Sequence, residues 1–314
     1  MGEKYKPLSV VICTFNRAYL LDRALASLSA QSARGQFEVI VVNNNSTDET
    51  PEIVHRWMSS IDINLVDESS QGLSYARNRG IREAKGEIIA FIDDDVVVIP
   101  NWASSILEIF QQLPEVDCLT GPVEPDWEQG EAPRWMNDEL LFSVGVGNYG
   151  DKPKFLVGKE YPIGANMAFR RTVFARVGCF NTLLGRVGTT LLSYEDVEFV
   201  DRLRRMGGSV LYHPAVCARH FVPKTRTTQE YVLNRRRWDG RSAALWEWLR
   251  GGKWLLLRNA LLRILFIIPI NTMGWVWASL VSNCDQRFIH ICRLLKAMAY
   301  LHQALHILCK VNKQ

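Results

Sequence analysis

Five apolar residues, Ile88-Ile89-Ala90-Phe91-Ile92, run straight into three consecutive carboxylates, Asp93, Asp94 and Asp95. An unbroken apolar run of this length reads as a strand buried on both faces, the pattern of a parallel sheet. The acids then stand where the strand leaves the sheet, and open α/β sheets bind ligands at that carboxyl end. Three like charges at one strand end repel each other unless a positive partner joins them. Hard oxygen donors of this kind suit Mg²⁺ or Mn²⁺, ions that keep waters and take up substrate phosphates. Alone, such a triplet is more often a solvated acidic turn. Its neighbours along the chain reverse that balance.

Those neighbours follow a strand–helix rhythm. Leu8-Ser9-Val10-Val11-Ile12-Cys13-Thr14 is β-branched and reads as the first strand. Leu20, Leu21, Ala24, Leu25 and Leu28 then recur at helical spacing. Residues 37–42 read as a second buried strand, closed by the polar run Asn43-Asn44-Asn45-Ser46-Thr47-Asp48. Thr50 before Pro51 reads as a helix N-cap followed by proline in the first turn. Residues 63–66 form a third, shorter strand. After Gly72, the residues Leu73, Ala76, Gly80 and Ala84 make a stripe of mostly small side chains that lets a helix lie close on a sheet. Arg77, one position off the stripe, is placed to reach over a strand end. Such short cycles predict a doubly wound, mostly parallel α/β sheet.

Further on, residues 102–113 read as a helix, and 116–120 and 165–169 as strands. Residues 121–162 lack periodicity, and such irregular stretches inside a domain are usually functional or mobile. Residues 181–193, with Gly185 and Gly188, read as a flexible loop. Glu195-Asp196 opens a helix running to Met206, with Asp196, Phe199, Val200 and Leu203 on one face. His213 and His220 are expected to flank a short strand.

In this order the segments Asn-Asn-Asn-Ser-Thr-Asp, Gly-Leu-Ser-Tyr-Ala-Arg-Asn, Ile-Asp-Asp-Asp and Tyr-Glu-Asp resemble the family 2 glycosyltransferases, which have a GT-A fold. The likeness covers roughly residues 8–220. It implies that Asp93 and Asp95 match the family's Asp-x-Asp motif, the first near the ribose and the last on a divalent metal bound to the diphosphate. Asp94, between them, joins the donor-binding set with an open role. Asn43, Asn44, Asn45 and Asp48 match the segment that binds base and ribose. Asn43 stands where the family more often has Asp; an amide both donates and accepts, so base recognition survives. Glu195-Asp196 matches the Glu-Asp motif, whose Asp is the expected catalytic base. Arg237-Trp238 resembles the end of a motif in processive synthases, but Asn234 replaces its usual Gln. The implied donor is a nucleotide sugar, first of all a UDP-sugar, and the acceptor a glycan or a lipid-linked molecule.

The chemistry has its own logic. Transfer from a nucleotide diphosphate needs a cation to take up charge developing on the leaving group. It also needs a base to deprotonate the acceptor from the opposite face, which inverts the anomeric centre. Asp93 and Asp95 supply the first, Asp196 or Glu195 the second. A helix N-terminus favours the ionised carboxylate that a base requires. Thr14, Asn16 and Arg17, in the loop after the first strand, complete the candidate donor contacts. Arg77 either contacts base or phosphates or solvates a helix face. His220 is either a third metal ligand beside Asp95 and Asp93 or a hydrogen-bonded histidine at a strand end.

Three rival readings can be weighed. A nucleotidyltransferase would also use paired acids and a metal, but it usually needs a glycine-rich loop after the first strand. Here that loop reads Thr14-Phe15-Asn16-Arg17. A non-catalytic sugar-binding module would not need both acidic motifs. A processive membrane synthase would need several spanning helices.

Composition divides the chain in two. Of 314 residues, 47% are hydrophobic and 22% charged, which is ordinary for a globular protein. Seven cysteines contain no Cys-x-x-Cys pair, so neither a disulfide framework nor a zinc ribbon is expected. The N-terminus lacks the apolar core of a signal peptide, and Lys6 stands where myristoylation of Gly2 wants Ser or Thr. A cytoplasmic catalytic portion is expected. Residues 224–314 carry fifteen Lys or Arg against four acids, a net +11 that leaves −7 of the overall +4 for residues 1–223. The expected division is therefore a catalytic domain, 1–223, and a basic helical appendage, 224–314. The appendage holds six of the ten tryptophans, which with arginine suit a membrane interface and not a nucleic acid. Residues 264–283 are uncharged and near the ~20 residues needed to cross a bilayer, but Pro269, Asn271, Thr272 and Gly274 weaken a span. An in-plane or re-entrant helix followed by an amphipathic segment, 288–308, would keep the basic residues on the cytoplasmic face.

Overall fold

A computed structural model describes residues 6–311. The expectations about the extreme N-terminus, including Gly2, and the charge of Lys313 lie outside the described residues. The chain forms two compact units. One comprises the chain up to Gly130, Gly145–Thr182 and Glu195–Val222; the other comprises Glu131–Val144, Leu183–Tyr194 and the chain from Pro223 onward. Two internal loop segments thus belong with the C-terminal helices, which a single linear division does not provide for.

Among the described residues, the first unit is built on eleven strands: β1 Leu8–Thr14, β2 Phe37–Asn43, β3 Ile63–Asp67, β4 Ile88–Asp93, β5 Val96–Val98, β6 Cys118–Thr120, β7 Val123–Trp127, β8 Lys154–Phe155, β9 Asn166–Arg170, β10 Val210–Tyr212 and β11 Ala218–Val222. Eight form one sheet in the order β3-β2-β1-β4-β9-β6-β10-β8. Strands β3, β2, β1 and β4 run parallel to one another, whereas β9 runs antiparallel to both β4 and β6. The sheet is α/β and doubly wound as expected, with its antiparallel strands confined to the half after β4. Both faces are covered. Val10, Ile12, Val39 and Val41 pack on one side with Leu21, Leu25, Trp102 and Ile106. Val11, Ile40, Ile89 and Phe91 pack on the other with Ala76, Phe174 and Phe199. Alternate residues of the same strands therefore feed opposite cores, which explains their unbroken apolar sequences.

The small-residue stripe acts as anticipated. In the helix Leu73–Glu83, a Cβ on Gly80 would overlap the side chain of Val11, so glycine sets how closely this helix lies on β1. The start of the helix Thr50–Trp57 differs from expectation. Thr50 is already helical, and the Asp48 carboxylate accepts from both its backbone nitrogen (3.2 Å) and its hydroxyl (2.6 Å). Asp48 lies N-terminal to the first turn, where a carboxylate is favoured.

A second sheet, β5-β11-β7, is small but decides the site. β11 runs antiparallel to β5, pairing His220 with Val96, and Phe221 N donates to Asp95 O at 2.8 Å. His220 therefore lies inside the strand, not at its border.

In the second unit, the Thr228 hydroxyl accepts from Tyr231 N and caps the helix Gln229–Leu262. The helix breaks at Gly251 and Gly252, the latter at φ +62°, a conformation that suits glycine. A π-turn, Arg263–Ile267, then precedes the helix Ile268–Leu280. Pro269 removes one helical donor near the π-turn, and Asn271 Nδ2 donates to Ile267 O at 2.8 Å. After a turn, the helix Cys284–Val311 folds back: His290 lies against Gly274 and bonds Asn271.

Candidate active site

Three loops meet at the carboxyl ends of β1, β2 and β4. The loop after β1 turns at Asn16, at φ +53°. Its backbone nitrogen donates to Ser46 Oγ (3.1 Å), and its side-chain oxygen accepts from Thr47 N (2.7 Å). Asp48 accepts from Ala18 N at 2.9 Å. Asn44 is buried, its amide donating to Glu68 O and Ser70 O and its oxygen accepting from Gly72 N. Asn45 reaches Ser69 O and Gln71. The polar run expected to hold base and ribose is thus also what locks neighbouring loops together. Asn43 donates to Asp67 Oδ1 at 2.9 Å, across a register that pairs the last residues of β2 and β3. Asp67 was not anticipated; its signal is a carboxylate ending the adjoining strand.

The three acids occupy different environments. Asp93 is the most open, with a side chain 36% exposed. Asp94 and Asp95 are buried. Arg17 Nη1 donates to Asp94 Oδ1 and to Asp95 Oδ2, both at 3.0 Å. The other Asp94 oxygen accepts from Thr14 Oγ1 at 2.9 Å, and the other Asp95 oxygen faces His220 Nε2 at 3.1 Å. Burial pushes the Asp94 carboxyl up to about 6, with Arg17 pulling against it and Asp95 adding to it. Asp94 in turn holds the Arg17 guanidinium well above its ordinary range. Cys13, opposite Asp93 in the β1–β4 register, has its thiol pushed by burial up to about 12, which favours the neutral thiol.

Among the described residues, no group of three or more His, Cys, Asp or Glu side chains forms a ready metal site. Asp95 and His220 nonetheless bring a carboxylate oxygen and a ring nitrogen together in a buried corner. Two such donors fit Mg²⁺ or Mn²⁺ if a substrate diphosphate and water supply the rest, the usual arrangement for these ions.

Arg77 links this corner to the second acidic motif. It is buried, with Nη1 2.9 Å from Glu195 Oε1, and Nη2 3.1 Å from Gly164 O and 3.5 Å from Asp93 Oδ1. Its guanidinium lies 5.4 Å from the Phe180 ring centroid. Burial works against its charge, and Glu195 and Asp93 outweigh that effect. Arg77, expected either to contact the donor or to solvate a helix face, is buried against protein partners. Glu195 and Asp196 open the helix Glu195–Arg205. Glu195 is buried and paired, whereas Asp196 is half-buried. Burial, reinforced by Glu195, pushes the Asp196 carboxyl up to about 6. A Cβ at Gly164 would lie 2.7 Å from Asp196 Oδ2, so any larger residue there would have to push the Asp196 carboxylate aside. Gly164 too escaped the sequence reading.

Residues 9–178 match the family model described as glycosyl transferase family 2. A glucosyl-dolichyl phosphate glucuronosyltransferase of Haloferax volcanii is 27% identical over 239 residues, 75% of each chain. A hyaluronan synthase of Pasteurella multocida is 36% identical over 69% of this chain, which spans only 24% of that protein's length. Among solved structures, the mannosyltransferase PcManGT of Pyrobaculum calidifontis, in complex with GDP-Man and Mn²⁺, superposes with a TM-score of 0.62 at 20% identity, covering 95% of this chain and 87% of that one. S. aureus TarS 1–349 in complex with UDP gives 0.54 at 16% identity, covering 96% and 91%. At these identities the structural likeness establishes the fold, which is that of the GT-A glycosyltransferases.

Proposed function

The chain belongs to glycosyl transferase family 2, and from that premise we propose that it is an inverting, metal-assisted glycosyltransferase with Asp196 as its base. The observation that carries this reading is the join made by Arg77. One buried guanidinium ties the three-acid strand end to the helix that presents Asp196.

The donor is a nucleotide diphosphate sugar, UDP-linked in the first instance. Asn43 and Asp67, bonded to each other at the ends of β2 and β3, would read the base with one amide and one carboxylate. Asp93, the exposed acid, meets the ribose. Asp95 and His220 would hold Mg²⁺ or Mn²⁺, which when bound supplies positive charge to the leaving diphosphate. Asp196 accepts the proton of the acceptor hydroxyl as its oxygen attacks the anomeric carbon. The bond from that carbon to the diphosphate oxygen breaks on the opposite side, and the bonding pair leaves with the diphosphate. Glu195, paired with Arg77, orients the helix start, and its charge helps hold the Asp196 carboxyl raised.

The second unit attaches the enzyme to the cytoplasmic face of a membrane without spanning it. Its helix Ile268–Leu280 and the preceding turn are patterned inside out. Asn271 and Ala278 are buried, while Leu265, Phe266, Ile270, Met273, Trp277 and Leu280 are exposed. A helix destined for water presents the reverse. The run Gln229–Leu280 has the length and composition to cross a bilayer, and its most apolar window is only 6% buried. Crossing, however, would carry the returning helix Cys284–Val311 into hydrocarbon with it, including Arg293, which pairs with Glu139 at 2.6 Å. Such a charge is costly at depth. An interfacial placement sinks the apolar face and leaves the basic residues at the headgroups. A lipid-linked acceptor follows from that placement.

The reading is tested by thermal shift with nucleotide diphosphates and nucleotide sugars, with and without Mn²⁺. Expected is stabilisation by a diphosphate only when Mn²⁺ is present, lost in Asp95→Asn. Equal stabilisation of the Asp95→Asn variant would overturn the metal assignment.

A further inference from the structure

All four carboxylate oxygens of the buried acid pair have partners within the protein. Asp94 uses Arg17 and Thr14; Asp95 uses Arg17 and His220. A divalent cation approaching Asp95 must therefore displace a partner or share the carboxylate with a guanidinium already 3.0 Å away. Two cations on one buried carboxylate repel strongly in low dielectric. Arg17 is also the more exposed partner: its side chain is 33% exposed, whereas those of Asp94 and Asp95 are 6% and 3% exposed. It sits in the turn just before the helix Ala18–Ser29, at the mouth of the acid cluster.

We propose that Arg17 is a built-in counter-ion that keeps the metal position closed until the diphosphate arrives. This rests on the reading that Asp95 holds the metal. In the donor-free enzyme the single Arg17 charge is shared by two carboxylates, and a metal ion alone gains little by replacing it. A nucleotide diphosphate brings the negative charge that lets both cations stay. The guanidinium turns to the phosphate oxygens, for which its planar fork is suited. The Asp95 oxygen it leaves becomes available to the metal. Metal and nucleotide then bind as coupled partners, each weak without the other. Because such coupling is reciprocal, the nucleotide must gain from the metal the same factor that the metal gains from the nucleotide.

The test is Mn²⁺ binding, read by the electron spin resonance of free Mn²⁺ and by calorimetry, with and without UDP or GDP. Proteins compared are the full chain, Arg17→Met, Arg17→Lys and Asp95→Asn. The parent should bind Mn²⁺ at least ~10-fold tighter when the nucleotide is present, within the range usual for coupled sites. Arg17→Met should bind Mn²⁺ alone at least ~10-fold tighter than the parent and lose most of the coupling. Arg17→Lys, which keeps the charge, should stay close to the parent for Mn²⁺ alone. If Arg17→Met is poorly stable without metal, Mn²⁺ should raise its melting temperature more than it raises the parent's, since a ligand stabilises by its own affinity. Unchanged or weaker Mn²⁺ binding by Arg17→Met overturns the proposal. Asp95→Asn separates the two failures. If it loses nucleotide-dependent Mn²⁺ binding while Arg17→Met behaves as the parent, only the counter-ion role is wrong. If Asp95→Asn binds Mn²⁺ as the parent does, the metal assignment itself is wrong.

Discussion

Arg77 Nη1 lies 2.9 Å from Glu195 Oε1, and both side chains are almost wholly buried, at 3% and 7% exposure. The pair joins residues 118 positions apart in the chain. It fixes the start of the helix that carries Asp196 against the strand end that carries Asp93.

Removing one partner of such a pair strands the other. Arg77→Ala should therefore cost ~3–5 kcal/mol of stability, the usual penalty for an uncompensated buried charge. Chemical denaturation measures it. The accompanying loss should fall on kcat more than on donor affinity, because Arg77 is paired with Glu195, beside Asp196. Arg77→Gln combined with Glu195→Gln should recover much of the stability and little of the rate.

Gly164→Ala sets the added methyl against Asp196 Oδ2. The expected outcome is a fall in kcat with nucleotide affinity and melting temperature little changed. Equal activity in steady-state kinetics would mean that Asp196 has room to move and is not held where the structure places it.

A pH profile follows from the raised Asp196 carboxyl. A base must be ionised, so kcat should fall on the acid side with an apparent pKa of about 6. The sign for stability is opposite. The folded-state value lies above the ordinary 3.8, so the native protein binds more protons between those values. This group's contribution to stability is present at low pH and is lost as pH rises through about 6. Asp196→Asn should lack that part of the pH dependence in denaturant titrations. Asp94 is raised to about the same value, so its own variant is the control for assigning the step.

Fractionation of the full chain decides the attachment. Release by high salt or carbonate is expected. Release by detergent alone would instead mean a span, and a wholly soluble protein would remove the membrane claim. Replacing Leu265, Ile270 and Trp277 by Ser should free the protein, since each of these apolar residues is more than half exposed.

Much of this was legible in the sequence for identifiable reasons. β1, β2 and β4 are buried on both faces, so their apolar runs and polar ends stand out without any tertiary knowledge. The glycine-and-alanine stripe on the helix Leu73–Glu83 signalled its close approach to the sheet, and Gly80 against Val11 bears it out. Less legible was anything set by pairing across long separations. β9 shows the same apolar pattern whether parallel or antiparallel, so its direction was invisible. His220 reads as a strand border until β11 pairs with β5 and carries it to Asp95. Arg77 was recognised as placed over a strand end, but its partner Glu195 is distant in sequence, so a contact to the donor and a contact to protein looked alike. Gly164 carries no local signal, because its importance lies in what stands opposite it, and Asp67 shows only as a carboxylate ending its strand.

The most direct measurement is the anomeric configuration of the first product, followed by NMR as it forms, for the parent and for Asp196→Asn. Expected are a product inverted relative to the donor sugar and a rate in the Asp196→Asn variant lower by about 10²–10⁴-fold, with donor affinity nearly unchanged. A product that retains the donor's configuration, or an Asn variant as fast as the parent, would contradict it.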